Sequence, residues 1–412
     1  MVQEVASQIA GGDNILATRL RQTQELVSTI GQLKGAAMKA GQMLSMEASD
    51  LLHPEIVKIL RQLQDDTAFM PIDQVRLILS RQLGREKLGY IEDLSFEPIA
   101  AASIGQVHRA TIEGQPVAIK IQYPGVAKSI DSDLAVLKKL AGIAMKIYGK
   151  TGDVDPIVDE IAKSLKKEVD YRLEATNIEL FRSLVTDPSY IIPQVFDKYS
   201  TDTVLTLSFE EGVKINNWIA SQPASAEVEH FASLVLNLLI AEMIEYGVVQ
   251  TDPNFANFLY RPQDRKLVLL DFGATNMYQV ELRELLRTLT LAALSGEAGL
   301  VLKEIIKAGY LHPRESAEVM SQMKNLLTVI GQLAEESAQP FPFRNDPWLN
   351  QIRTIGQSLA ESVEFTLPPK DLLFLGRKLG GMFHMLKDLN AKVDMIAIKQ
   401  RLHSVSIRET GK

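Results

Sequence analysis

The chain has 412 residues, of which 46% are hydrophobic and 23% charged, with a net charge of −7 and no cysteine. That length holds two lobes or two to three domains around ample core, in an ordinary globular composition. The acidic balance gives no argument for nucleic acid, and the absence of cysteine excludes disulfides and thiolate metal sites and fits a reducing compartment.

The opening MVQEVASQIAGGDN has no basic segment followed by an apolar run, so it reads as no signal peptide. Residues 13 to 47 read as one long helix, with Leu26, Ile30, Leu33, Ala37, Ala40 and Leu44 forming an apolar stripe. Gly35, Lys39, Gln42 and Met46 fall near the opposite side, which is also not a typical solvated face. Two semi-apolar faces imply a sandwiched helix. On composition alone Lys39 reads as a snorkelling surface lysine. His53-Pro54 ends the pattern and a short helix follows to Gln64. Pro71 then opens PIDQVRLILSRQLG in its first turn, with Gly84 as the stop. Residues 1–90 are expected to form an N-terminal helical extension.

From Leu94 the texture changes to short strands, expected at 93–97, 104–112 and 115–122, with Glu113-Gly114 as a hairpin turn. Val117-Ala118-Ile119-Lys120 matches the V-A-I-K strand of kinase-like folds, whose lysine neutralises nucleotide phosphates. Ala100, Ala101, Ala102 and Ser103 stand where an ordinary kinase carries a glycine-rich phosphate loop. Alanine resists φ > 0, so a stiffer loop is expected there, unless the segment is simply an alanine-rich strand.

Helices are expected over 125–148 and over 155–185, the second carrying Glu168, Asp170 and Glu174 within two turns. A kinase-like site needs one glutamate from such a helix to pair with the strand lysine. Three acids in two turns also suit a solvated face. Strands are expected at 190–199 and 203–208. Glu210-Glu211-Gly212 reads as the hinge between lobes, where backbone would meet an adenine. Helical segments at 214–220 and 225–247 lead to the most informative stretch. In it Asp252 is followed five residues later by Asn257, then by a strand–turn–strand ending in Asp271-Phe272-Gly273. This is the metal and phosphate end of a protein-kinase-like site: a carboxylate near the transferred phosphoryl group, and an amide and a second carboxylate for magnesium. Residues 277–403 look wholly helical, broken at Gly296, Gly309–Pro313, Gln339–Pro347 and Pro368-Pro369. Phe341, Phe343, Trp348, His384 and Met385 read as core residues, and the six histidines show no metal-ligand spacing. No run is long and apolar enough to span a bilayer, so any membrane contact would be peripheral.

KAGQ at 39–42, AAASIGQVHRA at 100–110, VAIK at 117–120, EVDYRLEATN at 168–177, QTDPNFANF at 250–258 and LLDFG at 269–273 together resemble the UbiB/ADCK (AarF-domain) atypical protein-kinase-like proteins. The resemblance implies an α+β, two-lobed kinase-like fold: a small antiparallel sheet and inserted helices over 91–210, and a helical lobe over 211–412. The helices of 1–90 would pack over the site. It implies Lys120 as the nucleotide lysine, Glu174 as its partner, Asp252 in the catalytic-aspartate place, and Asn257 and Asp271 on magnesium. Lys39 and Gln42 would reach into the site toward Glu168 and Asp170, which reverses the surface reading of Lys39. The implied cofactors are ATP and magnesium. The implied role is an ATPase or small-molecule kinase in ubiquinone or other isoprenoid-lipid metabolism, with a nucleotide-switched scaffold as the alternative. Expected partners are ATP and ADP, a lipid or quinone precursor, a membrane surface and a second copy of the chain, with no nucleic acid. The expected location is cytoplasmic, at the periphery of a membrane.

Overall fold

A computed structural model describes residue 40 and residues 69–102, 104–147, 155–252, 254–361 and 370–408. The long helix expected over 13–47, with Lys39 and Gln42, lies outside the described residues except for Ala40, which is helical and 1% exposed. Ser103, the short helix before Gln64 and the Pro368-Pro369 break also lie outside them. The chain forms two compact units, residues up to 176 with 194–209, and residues 177–193 with 210 onward.

In the first unit, helix α1 (Ile72–Leu88) leads into strands β1 (Ile91–Glu92), β2 (Ala100–Ala102), β3 (Gly105–Ile112) and β4 (Gln115–Gln122). Gly84 leaves helical geometry at φ +81°, as its expected role as a stop requires, but the chain re-enters the helix for one more turn. Strand β6 (Val204–Ser208) completes an antiparallel sheet in which β3 and β4 are central. Buried residues alternate along β3 and β4, and Ile112, Val117, Ile119 and Ile121 meet Val75 and Leu79 of α1 in an apolar core.

The strand expected over 93–97 is not there. β1 and β2 instead lie one after the other along the same edge of β3, joined by an irregular link. Two residues explain the break: Asp93 adopts φ +51°, and Pro98 has no N–H to give a ladder. The expected alanine loop is likewise a strand, with Ala100 opposite Val107 and Ala102 opposite Gly105. None of the three alanines takes a positive φ, as their Cβ atoms require.

The GQVH segment of β3 anchors the chain entering α1. Gln106 accepts from the Met70 N–H at 2.7 Å and donates back to the Met70 carbonyl at 3.3 Å. His108, fully buried, lies 2.9 Å through Nδ1 from the Ser95 carbonyl and 2.7 Å through Nε2 from the Gln106 amide nitrogen. The consistent assignment is a neutral ring, with Nδ1–H donating to Ser95 and Nε2 accepting from Gln106. Burial pushes the imidazole below its ordinary range, outweighing the upward pull of the Ser95 carbonyl and the Glu97 charge. The unfolded chain therefore binds the proton more tightly. This contribution to stability is complete above about pH 6.5 and lost as pH falls through the lower folded value. The urea midpoint is expected to fall between pH 7.5 and 5, and His108→Gln to flatten that slope. Equal slopes in the two proteins would show that His108 does not carry it.

Helix α2 (Val126–Ile147) comes next, and the single helix expected over 155–185 is in fact two, α3 (Asp155–Glu168) and α4 (Tyr171–Leu184). The break falls at Val169-Asp170, where Asp170 caps the second helix by accepting from the Leu173 N–H at 3.0 Å. The strand expected over 190–199 shrinks to β5 (Tyr190–Ile191), followed by a 3₁₀ turn at Asp197–Tyr199.

The second unit begins its main run with β7 (Val213–Lys214), α5 (Ile215–Ala220) and α6 (Ser225–Ile240), the last ending in a π-helical turn at Ala241–Tyr246. Strands β8 (Val248–Gln250), β9 (Phe258–Arg261), β10 (Lys266–Leu269) and β11 (Thr275–Met277) follow. β5, β10, β9 and β7 form one small sheet, and β8 pairs with β11. Trp218 and Phe231 pack in tilted and edge-on contacts with each other and with Tyr260 of β9, ring centroids 4.5 to 5.5 Å apart. The remainder is mainly helical: α7 (Val280–Leu294), α8 (Ala298–Lys307), α9 (Ala317–Gly331), α10 (Asp346–Glu361), α11 (Lys370–Asp388) and α12 (Met395–Ser404). It is not wholly so, because Phe341–Pro342 pairs with Lys392–Val393. Phe341, Phe343, Trp348 and Met385 are buried as expected, whereas His384 is exposed and not a core residue.

Candidate active site

In the first unit, β4 places Lys120 between the buried Ile119 and Ile121, so its side chain leaves the sheet on the other face. Its ammonium donates to both carboxylate oxygens of Glu174, at 3.0 and 2.8 Å, and Glu174 is 1% exposed. The Asp170 cap starts α4 so that Glu174 sits in its first turn, where the helix N-terminus favours a carboxylate. Of the three acids that the sequence left in competition, Glu174 therefore takes the lysine. Glu168 ends one helix and Asp170 begins the next. Gln122 ties this break to β4 by donating to the Val169 carbonyl at 2.9 Å. Gly105 admits no side chain: a Cβ there would lie 2.3 Å from the Ile121 carbonyl oxygen and 3.0 Å from the Tyr171 hydroxyl.

In the second unit, the hairpin of β9 and β10 explains the spacing read from the sequence. Its register runs from Lys266 opposite Arg261 to Leu269 opposite Phe258, and the Leu270 N–H donates to the Asn257 carbonyl at 3.0 Å. Asn257 and Asp271 thus leave the same end of the hairpin. A small cavity is lined by both, together with Gln250, Phe272 and Glu242. Asp271 accepts from the Gly273 N–H at 3.0 Å, and Phe272 is buried 4.8 Å from the ring of Phe181. Asn177 donates to the Phe272 carbonyl at 2.9 Å, which fixes the turn. The half-buried Asp252 accepts from Asn254 N–H at 3.3 Å, and the Asn257 amide reaches the Asp252 carbonyl at 3.4 Å. Glu210 is half-buried, and Gly212 two residues on is forced, since a Cβ there would lie 2.7 Å from that of Leu259.

Below this hairpin are three side chains that sequence reasoning missed. Arg283 is fully buried and donates to the Ile244, Glu245 and Arg408 carbonyls. It caps the end of the π-helical turn as a cation at a helix C-terminus should. Its stem packs under Gly247, whose φ of +67° and lack of a Cβ are both needed: a Cβ would lie 2.6 Å from Arg283 Cδ. Lys378 of α11 is buried against Glu242 and also donates to the Gln250 carbonyl at 2.6 Å. Burial raises the Glu242 carboxyl above its ordinary range, against the pull of the Lys378 ammonium. These contacts join residues more than thirty positions apart in sequence, so no local pattern announces them. Asn177 does lie in the quoted EATN stretch, but a lone asparagine inside a helix carries no signature.

A V-A-I-K lysine bound to a helix glutamate, and a D-x-x-x-x-N hairpin closed by DFG, define a protein-kinase-like protein. Residues 62–305 match the ABC1 atypical kinase-like domain, and the chain belongs to that family. It is 33% identical over 391 residues to the mitochondrial atypical kinase COQ8 of Schizosaccharomyces pombe, an alignment that covers 93% of this chain and 63% of that one. The mitochondrial COQ8 of Saccharomyces cerevisiae is also 33% identical, with 89% of this chain and 73% of that one aligned. The chain therefore spans less than two thirds of the length of the first of these relatives and about three quarters of the second. A solved structure of Rv3197 from Mycobacterium tuberculosis, in complex with erythromycin, superposes with a TM-score of 0.66 at 26% identity and 98% coverage of both chains.

Proposed function

We propose that this protein is a magnesium-dependent, ATP-binding atypical kinase or ATPase that serves isoprenoid-quinone or other lipid metabolism and does not phosphorylate proteins. The observation that carries it is the hairpin register that sets Asn257 and Asp271 side by side at one end. Hard oxygen donors of this kind suit magnesium, which takes one or two carboxylates and completes its shell with phosphates and water. That fits the absence, among the described residues, of any group of three or more His, Cys, Asp or Glu able to hold a metal alone.

In this reading Lys120 neutralises nucleotide phosphates and Glu174 aims it. Asn257 and Asp271 hold the metal, and Asp252 orients the attacking group and takes up its proton. The backbone of Ala100–Ser103 covers the phosphates, and that at Glu210 meets the adenine. Bound magnesium-ATP supplies the phosphoryl group and the charge that balances it. Lys39 and Gln42, acting with Glu168 and Asp170, exclude a peptide substrate and regulate access. The lipid assignment draws on the family resemblance. Peripheral membrane contact is part of this reading; no helix among the described residues is long and apolar enough to cross a membrane.

The test is thermal unfolding with ATP, with and without magnesium. Saturation at about 100 Kd adds about 2.7 kcal/mol to the folded state, a clear upward shift. ATP turnover is measured alongside, with and without anionic vesicles. No magnesium-dependent shift and no turnover, with vesicles and detergent present, would overturn the proposal.

A further inference from the structure

We infer that Lys378 is a positioning residue for the Asp252 loop, acting through the peptide bond between Gln250 and Thr251. The kinetic part of this inference rests on the function proposed above, whereas the structural part does not. Lys378 and Glu242 are each 2% exposed and form a direct ion pair. Taking two charges out of water costs several kcal/mol per ion, and exchanging such a pair for apolar residues of similar volume is often neutral or stabilising. Stability alone is therefore a poor account of why a lysine and a glutamate occupy this place.

The lysine makes a second contact that no apolar residue could make. Its ammonium donates to the Gln250 carbonyl at 2.6 Å. On the other side of the same peptide, the Thr251 N–H donates to the Ala274 carbonyl at 2.7 Å. The plane is thus gripped at both its oxygen and its hydrogen, one residue before Asp252. Rotation of that plane would swing Asp252 and loosen Ala274, the residue after the Asp271-Phe272-Gly273 turn. Glu242 gives Lys378 the neighbour that keeps its charge in place. Glu242 also borders the cavity that Asn257 and Asp271 line. The Gln250 side chain lies there too, 5% exposed with neither amide atom hydrogen-bonded, so this residue is held through its backbone, by the pairing with Thr275 of β11 and by the contact from Lys378. Lys378 thus fastens α11, far along the chain, to the segment that aims the catalytic aspartate.

The decisive variant is Lys378→Met/Glu242→Leu, which removes both charges together so that neither is left buried alone. Two readouts are taken on the full chain: hydrogen exchange of segment 248–253 against the rest, and steady-state ATP turnover. Exchange at 248–253 is expected to rise about 10-fold with the helices elsewhere unchanged, since only a local opening is eased. Turnover is expected to fall about 10- to 100-fold in kcat while KM for ATP stays within about threefold, the mark of misplacement and not of lost binding. Lys378→Gln/Glu242→Gln, which keeps hydrogen-bonding groups at both positions, is expected to lie between the wild type and the apolar pair in both readouts. If the apolar pair gives no cooperative unfolding transition, the amide pair decides by the same criteria. Unchanged exchange at 248–253, or exchange raised uniformly across the chain with kcat and KM failing together, overturns the inference. A wild-type protein that neither binds nor hydrolyses ATP would sink the functional reading, and the exchange comparison would then judge Lys378 by itself.

Discussion

Asp271→Asn is expected to abolish the magnesium-dependent stabilisation by ATP and to lower ATP turnover by about 100-fold or more, while the free protein keeps its unfolding midpoint. The two halves of this expectation have separate causes. Asparagine is nearly isosteric, and its carbonyl oxygen still accepts from the Gly273 N–H, which Asp271 binds at 3.0 Å. Phe272 stays packed on Phe181, and its carbonyl keeps the bonds from Asn177 and Thr275. The turn should therefore survive. What is lost is a full negative charge in a half-buried place. Losing one well-placed electrostatic contact to a transition state commonly costs about 100- to 1000-fold in rate. The comparison needs ATP with magnesium, ATP with chelator, and no ligand, for both proteins. A variant that still shows the full magnesium-dependent shift would remove Asp271 from the metal site. A variant that also unfolds early would show that the carboxylate serves the turn itself.

The second large effect concerns stability. Gly105→Ala is expected to cost about 3 kcal/mol, at the upper end for a single added methyl group in a packed interior. The new Cβ would lie 2.3 Å from the Ile121 carbonyl oxygen and 3.0 Å from its carbon. Those atoms belong to the backbone of β4, which cannot turn aside as a flexible side chain would, and β4 also carries Lys120. The strands must separate or Gly105 must shift, and either disturbs the pairing of Gly105 with Gln122 and of Val107 with Lys120. Gly376→Ala is the matched control. It sits in α11 with no atom near its added Cβ, so it should be neutral or gain up to about 1 kcal/mol from helix propensity. Denaturant unfolding of the two variants gives the comparison. Equal midpoints would show that the sheet yields to the extra carbon.

The contrast between these residues shows what the sequence could and could not reveal. Where Lys120, Asn257 and Asp271 sit in the fold was legible because each lies in a short segment whose spacing is dictated by one local element, a strand or a hairpin. Glu174 was harder. Asp170, which caps its helix, looked like one more acid on a continuous face, and only the break at Val169 separates Glu168 from Asp170 and Glu174. The alanine strand was misjudged because a run of small residues permits both a loop and an edge strand, and the pairing with β3 decides between them. Arg283, Lys378 and Glu242 gave no signal at all. Their partners are backbone carbonyls and charges far along the chain, and nothing in a window of ten or twenty residues encodes such a meeting.

Arg283 has a further consequence for how the molecule comes into being. One of its guanidinium bonds goes to the carbonyl of Arg408, 125 residues later, and Lys378 reaches back 128 residues to Gln250. Contacts separated so widely in sequence form late, because the entropy of closing a long loop must be met before they give any return. During synthesis the segment from Gly247 to Gly273 leaves the ribosome well before either partner exists. Until then the Gln250 carbonyl lacks its bond from Lys378, and the Arg283 guanidinium lacks its bond to Arg408. The hairpin that carries Asn257 and Asp271 is thus secured only once the chain has been made as far as Lys378 and Arg408.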